Sequence, residues 1–99
     1  MKDMQKHAGQ AAALLKGLAN PHRLLILCEL ADGEKSVSAL IAATGIAQTS
    51  MSQHLSKLKD EGIVIFRREH RTLYYTIHHR AVMEIMTVLH DTFCQKQGG

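Results

Sequence analysis

Two groups of side chains in this 99-residue sequence have the types that chemistry needs: the cysteines Cys28 and Cys94, and a run of hydroxyl, amide and basic residues between Gln48 and Arg71. A thiolate is a nucleophile, a metal ligand and a two-electron reductant. The cysteines form no Cys-x-x-Cys motif, and no nucleophile–base constellation is visible, so an enzyme is not expected. One thiolate alone cannot complete a tetrahedral soft-metal site. Taken as residues, the cysteines stay open to two readings. Cys28 fits a small core residue and Cys94 a tail residue, or the two form a redox-active pair. Of the seven histidines, His7, His22 and His78 have no recognisable partner spacing.

The second group implies binding. Gln48, Thr49, Ser50, Ser52, Gln53 and His54 crowd the first half of one helical segment, and Lys57 follows. Such groups can hydrogen-bond to base edges in a DNA major groove. Arg67, Arg68 and Arg71 come soon after, where phosphate contacts would need positive charge. His70 stands between the last two arginines at the tip of a β-hairpin, where it either changes the turn or points at DNA. A charge cluster by itself is usually a solvated surface. The helical context around this one favours DNA.

The elements that would position these residues follow from the pattern. Residues 4 to 18 carry Met4, Ala8, Ala11, Leu15 and Leu18 at helical spacing. Asn20-Pro21 breaks and restarts the chain, since Asn suits an N-cap and Pro the first helical position. A second helix runs from His22 to Ala31 and is closed by Asp32-Gly33. A third, residues 36 to 44, is capped by Ser36 or Ser38 and ends at Thr44-Gly45. A fourth runs from about Ala47 to Glu61, with Met51, Leu55 and Leu58 on one face and Gly62 as its stop. Helix, tight turn and polar second helix make a helix-turn-helix. Residues 63 to 69 and 72 to 77 are β-branched and aromatic, and predict two strands joined at a basic tip. A last helix, Arg80 to Gln95, carries Val82, Ile85, Met86, Leu89 and Phe93 as one stripe.

The expected fold is therefore mainly α with a β-hairpin wing, in the order α1-α2-α3-α4-β-β-α5, as one domain over 1–99 with residues 1–3 and 96–99 frayed. The apolar stripes of the first and last helices are wider than one core contact needs, which suggests a homodimer through them. Two recognition helices about one DNA turn apart would then read a palindromic operator in double-stranded DNA. Net charge is +3 and the excess lies on and after the fourth helix. No apolar run approaches the roughly 18 residues that cross a bilayer, and MKDMQKHAGQ has no signal-peptide core, so a cytoplasmic protein with no membrane partner is expected.

Three stretches resemble the ArsR/SmtB-type winged-helix repressors: LANPHRLLIL at 18 to 27, MSQHLSKLKDEGIV at 51 to 64, and RREHRTLYYTI at 67 to 77. The resemblance covers about residues 8 to 95. Two departures stand out: Ala47 where the family often has Ser or Thr, and His70 where Gly is common. The family's thiolate metal sensors carry Cys-x-Cys in helix two, but Cys28 stands alone. Its last-helix metal site is half-formed here. His79 and His90 match the ten-residue gap, but Ile77 and Phe93 occupy the other ligand positions. No metal and no cofactor are expected. LLILCEL at 24 to 30 and FCQ at 93 to 95 instead look like the dithiol branch, the BigR-, SqrR-, YgaV- and HlyU-like repressors. That resemblance implies a repressor whose operator binding ends when a reactive sulfur species or oxidant joins Cys28 to Cys94 by a disulfide or polysulfide. It leaves as alternatives a zinc-type sensor and a regulator that relieves another protein's repression.

Overall fold

The computed structural model describes residues 2–94, with the side chains of Lys2 and Cys94 outside that description. The elements are α1 (Lys2–Leu18), α2 (Pro21–Ala31), β1 (Lys35–Ser36), α3 (Val37–Thr44), α4 (Gln48–Asp60), β2 (Val64–Glu69), β3 (Thr72–Ile77) and α5 (Arg80–Leu89), then a π-helical turn, His90–Cys94. This is a winged helix-turn-helix. Residues 2 and 3 are helical; the expected frayed residues 1 and 96–99 lie outside the described residues.

Local chemistry explains the breaks. Asn20 Oδ1 accepts from the Arg23 N–H at 3.1 Å, and Pro21 occupies the first turn of α2. This supplies one of the donors that a helix start leaves unpaired. Ser36 Oγ does the same for α3, accepting from the Ala39 N–H at 3.1 Å. Gly45 closes α3 at φ 76°, donating to the Ile41 carbonyl. A β-carbon is costly at that dihedral, so glycine belongs there.

One core lies under the helix-turn-helix. Ile26 and Leu27 of α2, Leu40 of α3, Leu58 of α4 and Val82 of α5 are fully buried. Each such side chain contributes about 1.5–3 kcal/mol through burial. Met51 and Leu55 join them, so α4 is pinned along the apolar face that its sequence spacing predicts. No described helix is long and apolar enough to cross a membrane.

The structure differs from the expectation in two places. The hairpin belongs to a three-stranded antiparallel sheet, ordered β1-β3-β2. Lys35 pairs with Tyr75 and Ser36 with Tyr74, so the residue that caps α3 also ends a strand. The last helix also does not run on as regular α-helix towards Gln95. It changes to a π turn at His90. There the Thr92 hydroxyl donates to the Val88 carbonyl at 2.9 Å, and hydroxyl back-bonding of this kind competes with the main-chain ladder. Single π turns often mark functional positions.

Candidate nucleic-acid interface and thiol pair

The recognition helix α4 presents its polar residues as expected. Gln48, Thr49, Ser52, Gln53 and Lys57 are exposed, and Ser50 is half-buried. Ala47 stands at the N-cap with no side-chain hydrogen bond, so the first turn leaves donors open. The turn before it is held by Thr44, whose hydroxyl donates to the Leu40 carbonyl at 2.7 Å and accepts from the Ile46 N–H at 3.2 Å. Gln48 and Ser52 of α4 line one cleft together with Arg71 at the wing tip and Ser38 of α3. Helix and wing thus meet in one cleft, whose lining also includes Val37, Ile41 and Leu73.

His54 is placed differently from its neighbours. It is half-buried, its ring edge-on to His22 of α2 at 5.5 Å between centroids. Burial, then Arg23, then His22 push its pKa below the ordinary value. The neutral ring is therefore favoured, and it links the recognition helix to α2.

The wing arginines also divide. Arg68 and Arg71 are exposed. Arg67 is engaged on the protein: Nε and Nη2 donate to the two carboxylate oxygens of Glu34 at 2.8 and 2.9 Å, and the guanidinium lies 4.6 Å over the Tyr74 ring. A forked pair of this geometry holds orientation as well as charge. The same hydrogen bonds lower the Glu34 pKa and raise that of Arg67. A phosphate contact by Arg67 would have to share that donor fork. His70 occupies the tip at φ 59°, in the left-handed region. Histidine enters that region more readily than most non-glycine residues, so the tip uses a strained turn where glycine would be relaxed.

The thiol end lies elsewhere on the molecule. Cys28 is buried on α2 at 8% exposure. The sequence contains one other cysteine, Cys94, whose side chain lies outside the described residues. Its neighbour Phe93 lines, with Cys28, Pro21, Leu24, Met86 and Leu89, an apolar cavity of about 450 Å³. At the far end of the π turn, His90 Nε2 meets Asp32 Oδ1 at 3.0 Å. His79 stands at the α5 N-cap, remote in sequence from that pair. Among the described residues no group of three or more His, Cys, Asp or Glu could hold a metal. Glu34, His22 and Asp32 were not singled out by sequence reasoning; each acts through a partner distant in the chain.

The sequence and the fold are similar to those of known proteins. The family described as bacterial regulatory protein, arsR family, matches residues 20–65. The transcriptional activator HlyU of Vibrio cholerae is 39% identical over 96% of this chain and 88% of its own length. Its reduced-form structure superposes with a TM-score of 0.88 at 39% identity, covering 96% of this chain and all of that one, 100%. The biofilm growth-associated repressor of Xylella fastidiosa is 36% identical over 97% of this chain and 84% of its own. A homodimeric winged helix-turn-helix DNA-binding domain from Mycobacterium bovis superposes with a TM-score of 0.75 at 37% identity, covering 91% of this chain and 84% of that one. With these likenesses spanning its whole winged-helix architecture, the chain belongs to the ArsR family of DNA-binding bacterial transcriptional regulators.

Proposed function

We propose that this regulator is a homodimeric repressor that binds a palindromic operator through α4 and the wing, and that a Cys28–Cys94 bridge ends that binding. The observation that carries the thiol reading is the packing of α2 against the π turn, which puts Phe93 and Cys28 on one cavity wall. The residue after Phe93 is Cys94. In the chemistry proposed, one cysteine thiolate attacks the outer sulfur of a small-molecule hydropersulfide and expels its thiolate. The second thiolate attacks the new protein persulfide and expels hydrosulfide, leaving the disulfide. Two protein thiols are oxidised and the sulfane sulfur is reduced. The covalent tie shifts the recognition helices relative to the dimer, and a coupling of about 1–3 kcal/mol is enough to relieve repression.

Dimerisation is supported by apolar side chains left in solvent on α1 and at the end of α5, including Met4 at 54%, Leu15 at 53% and Val88 at 64% exposure. Apolar side chains exposed on these two helices suit burial against a second copy of the chain. For DNA, the reading assigns Gln48, Thr49, Ser50, Ser52, Gln53 and His54 to the base side. Lys57, Arg67, Arg68, His70 and Arg71 are assigned to the backbone side.

The test is operator affinity of the reduced protein before and after hydropersulfide treatment, in the wild type and in Cys28→Ser and Cys94→Ser. Treatment should release DNA from the wild type and leave both variants bound. Unchanged binding by treated wild type would remove the thiol reading. A second reading, relief of another protein's repression, draws support from the name of the Vibrio cholerae relative, a transcriptional activator. Transcription in vitro with purified polymerase separates the two, because only a direct repressor lowers the transcript when no other regulator is present.

A further inference from the structure

The contact between the Asp32 carboxylate and the His90 ring joins the same two elements that the thiol bridge would join. Asp32 lies four positions after Cys28 and His90 four positions before Cys94. The two pairs are thus offset by four positions in opposite senses along the two elements, which pack against each other. Asp32 is the C-cap of α2, and His90 opens the π turn. The His90 side chain is 25% exposed and that of Asp32 57%, so the contact is partly shielded on the histidine side. Asp91 Oδ1 stands 4.0 Å from His90 Nδ1, so the ring has a carboxylate near each nitrogen. The regular hydrogen-bond pattern of α5 changes where this contact is made.

Resting on the thiol reading above, we propose that Asp32 and His90 are a positioning pair for the sulfur bridge. By docking the start of the π turn onto the end of α2, the pair limits the arrangements open to the segment that carries Cys94. It thereby raises the effective concentration of one thiol at the other. Linkage makes the effect reciprocal: whatever favours the docked register favours the bridge, and the bridge favours the pair. The pair touches neither sulfur. It therefore leaves the first, bimolecular attack on the hydropersulfide unchanged and acts on the second, intramolecular attack.

The experiment uses the full chain with His90→Leu, Asp32→Ala and the exchanged double variant Asp32→His/His90→Asp. The bridged fraction is measured by mass spectrometry in a glutathione redox buffer, and the two reaction steps are timed after mixing with a small-molecule hydropersulfide. Melting of each reduced variant confirms that it is folded. Each single variant should lower the effective concentration and the second step by about two- to fivefold, the worth of a partly exposed polar side-chain pair. Its first step should match wild type, and the exchanged variant should recover most of the loss. Single variants that bridge as readily as wild type would overturn the positioning role, and so would an exchange that recovers nothing. A wild type that never bridges would instead remove the thiol reading itself.

Discussion

The two ends of this molecule are built from opposite materials. At the wing end, beside the exposed Ile65 and Phe66, charged side chains are stitched into pairs: Arg67 to Glu34 and Glu69, Lys59 over Phe66, and Arg67 over Tyr74. At the α2–α5 end the surface is apolar, with Leu25 at 47%, Val88 at 64% and Phe93 at 78% exposure around the Cys28 cavity. A polar, cationic face suits a partner that is hydrated and charged, and its contacts weaken as salt rises. An apolar face suits a dry partner, and its contacts depend little on salt. Between them lies one core, so a change at one end reaches the other only by moving packed helices, which shift as units.

That contrast can be broken most strongly at Gln53. Gln53→Ala should lose about 1–3 kcal/mol of discrimination between operator and random DNA, measured as the ratio of the two affinities at one salt concentration. An equal loss on both DNAs would move Gln53 to the backbone side and blur the division within α4. The oligomeric state, followed by sedimentation, should be untouched.

Next in size is the missing cap. Ala47→Ser should add about 1 kcal/mol of stability by pairing an open N–H of α4, read from the denaturant midpoint. If instead the unpaired start of α4 serves the DNA phosphate, operator affinity should fall as stability rises, which would mark the cap as sacrificed for binding.

A smaller effect is expected from His54. Its folded pKa lies below the ordinary value, mainly through burial. The neutral ring therefore contributes stability that is fully present above the unfolded value of about 6.5 and is lost as pH falls through the folded value. Denaturant midpoints at about pH 7.5 and 5.5 should fall more in wild type than in His54→Gln. Parallel falls would place the pH sensitivity on other groups.

The smallest expected change is at Glu34. Glu34→Gln frees the Arg67 fork. If Arg67 then reaches a phosphate, the salt dependence of DNA binding should steepen by at most about 1 in the log–log slope. An unchanged slope would assign Arg67 to holding the wing against Tyr74.

Much of this architecture is legible in the residues themselves. Asn20-Pro21, Gly45 and Gly62 mark breaks because local dihedral and capping chemistry acts within a few positions. The buried face of α4 follows from the spacing of Met51, Leu55 and Leu58. What escapes is either short or remote. β1 has two residues, too few to show a period, and it exists only because Tyr74 and Tyr75 pair with it. The Glu34–Arg67 clamp and the His22–His54 contact join residues on separate elements, which no local pattern encodes. The π turn keeps a helical apolar spacing, so Leu89 and Phe93 read alike whether the ladder is α or π. For the sulfur chemistry, residue types raised the possibility, and family likeness supplied the pairing that spacing left open.

The strand order carries one more consequence. β3 is central and β2 is the outer strand, so one side of β2 keeps its backbone donors and acceptors unsatisfied by the sheet. Ile65 and Phe66 on it are 47% and 40% exposed. An open apolar strand edge is a template for edge-to-edge aggregation. Here the next three residues are Arg67, Arg68 and Glu69, and charges flanking an apolar strand act as gatekeepers against such stacking. Charges placed this way oppose edge pairing whether or not nucleic acid is bound. Replacing Arg67 and Arg68 together with apolar residues would turn the wing into an adhesive edge.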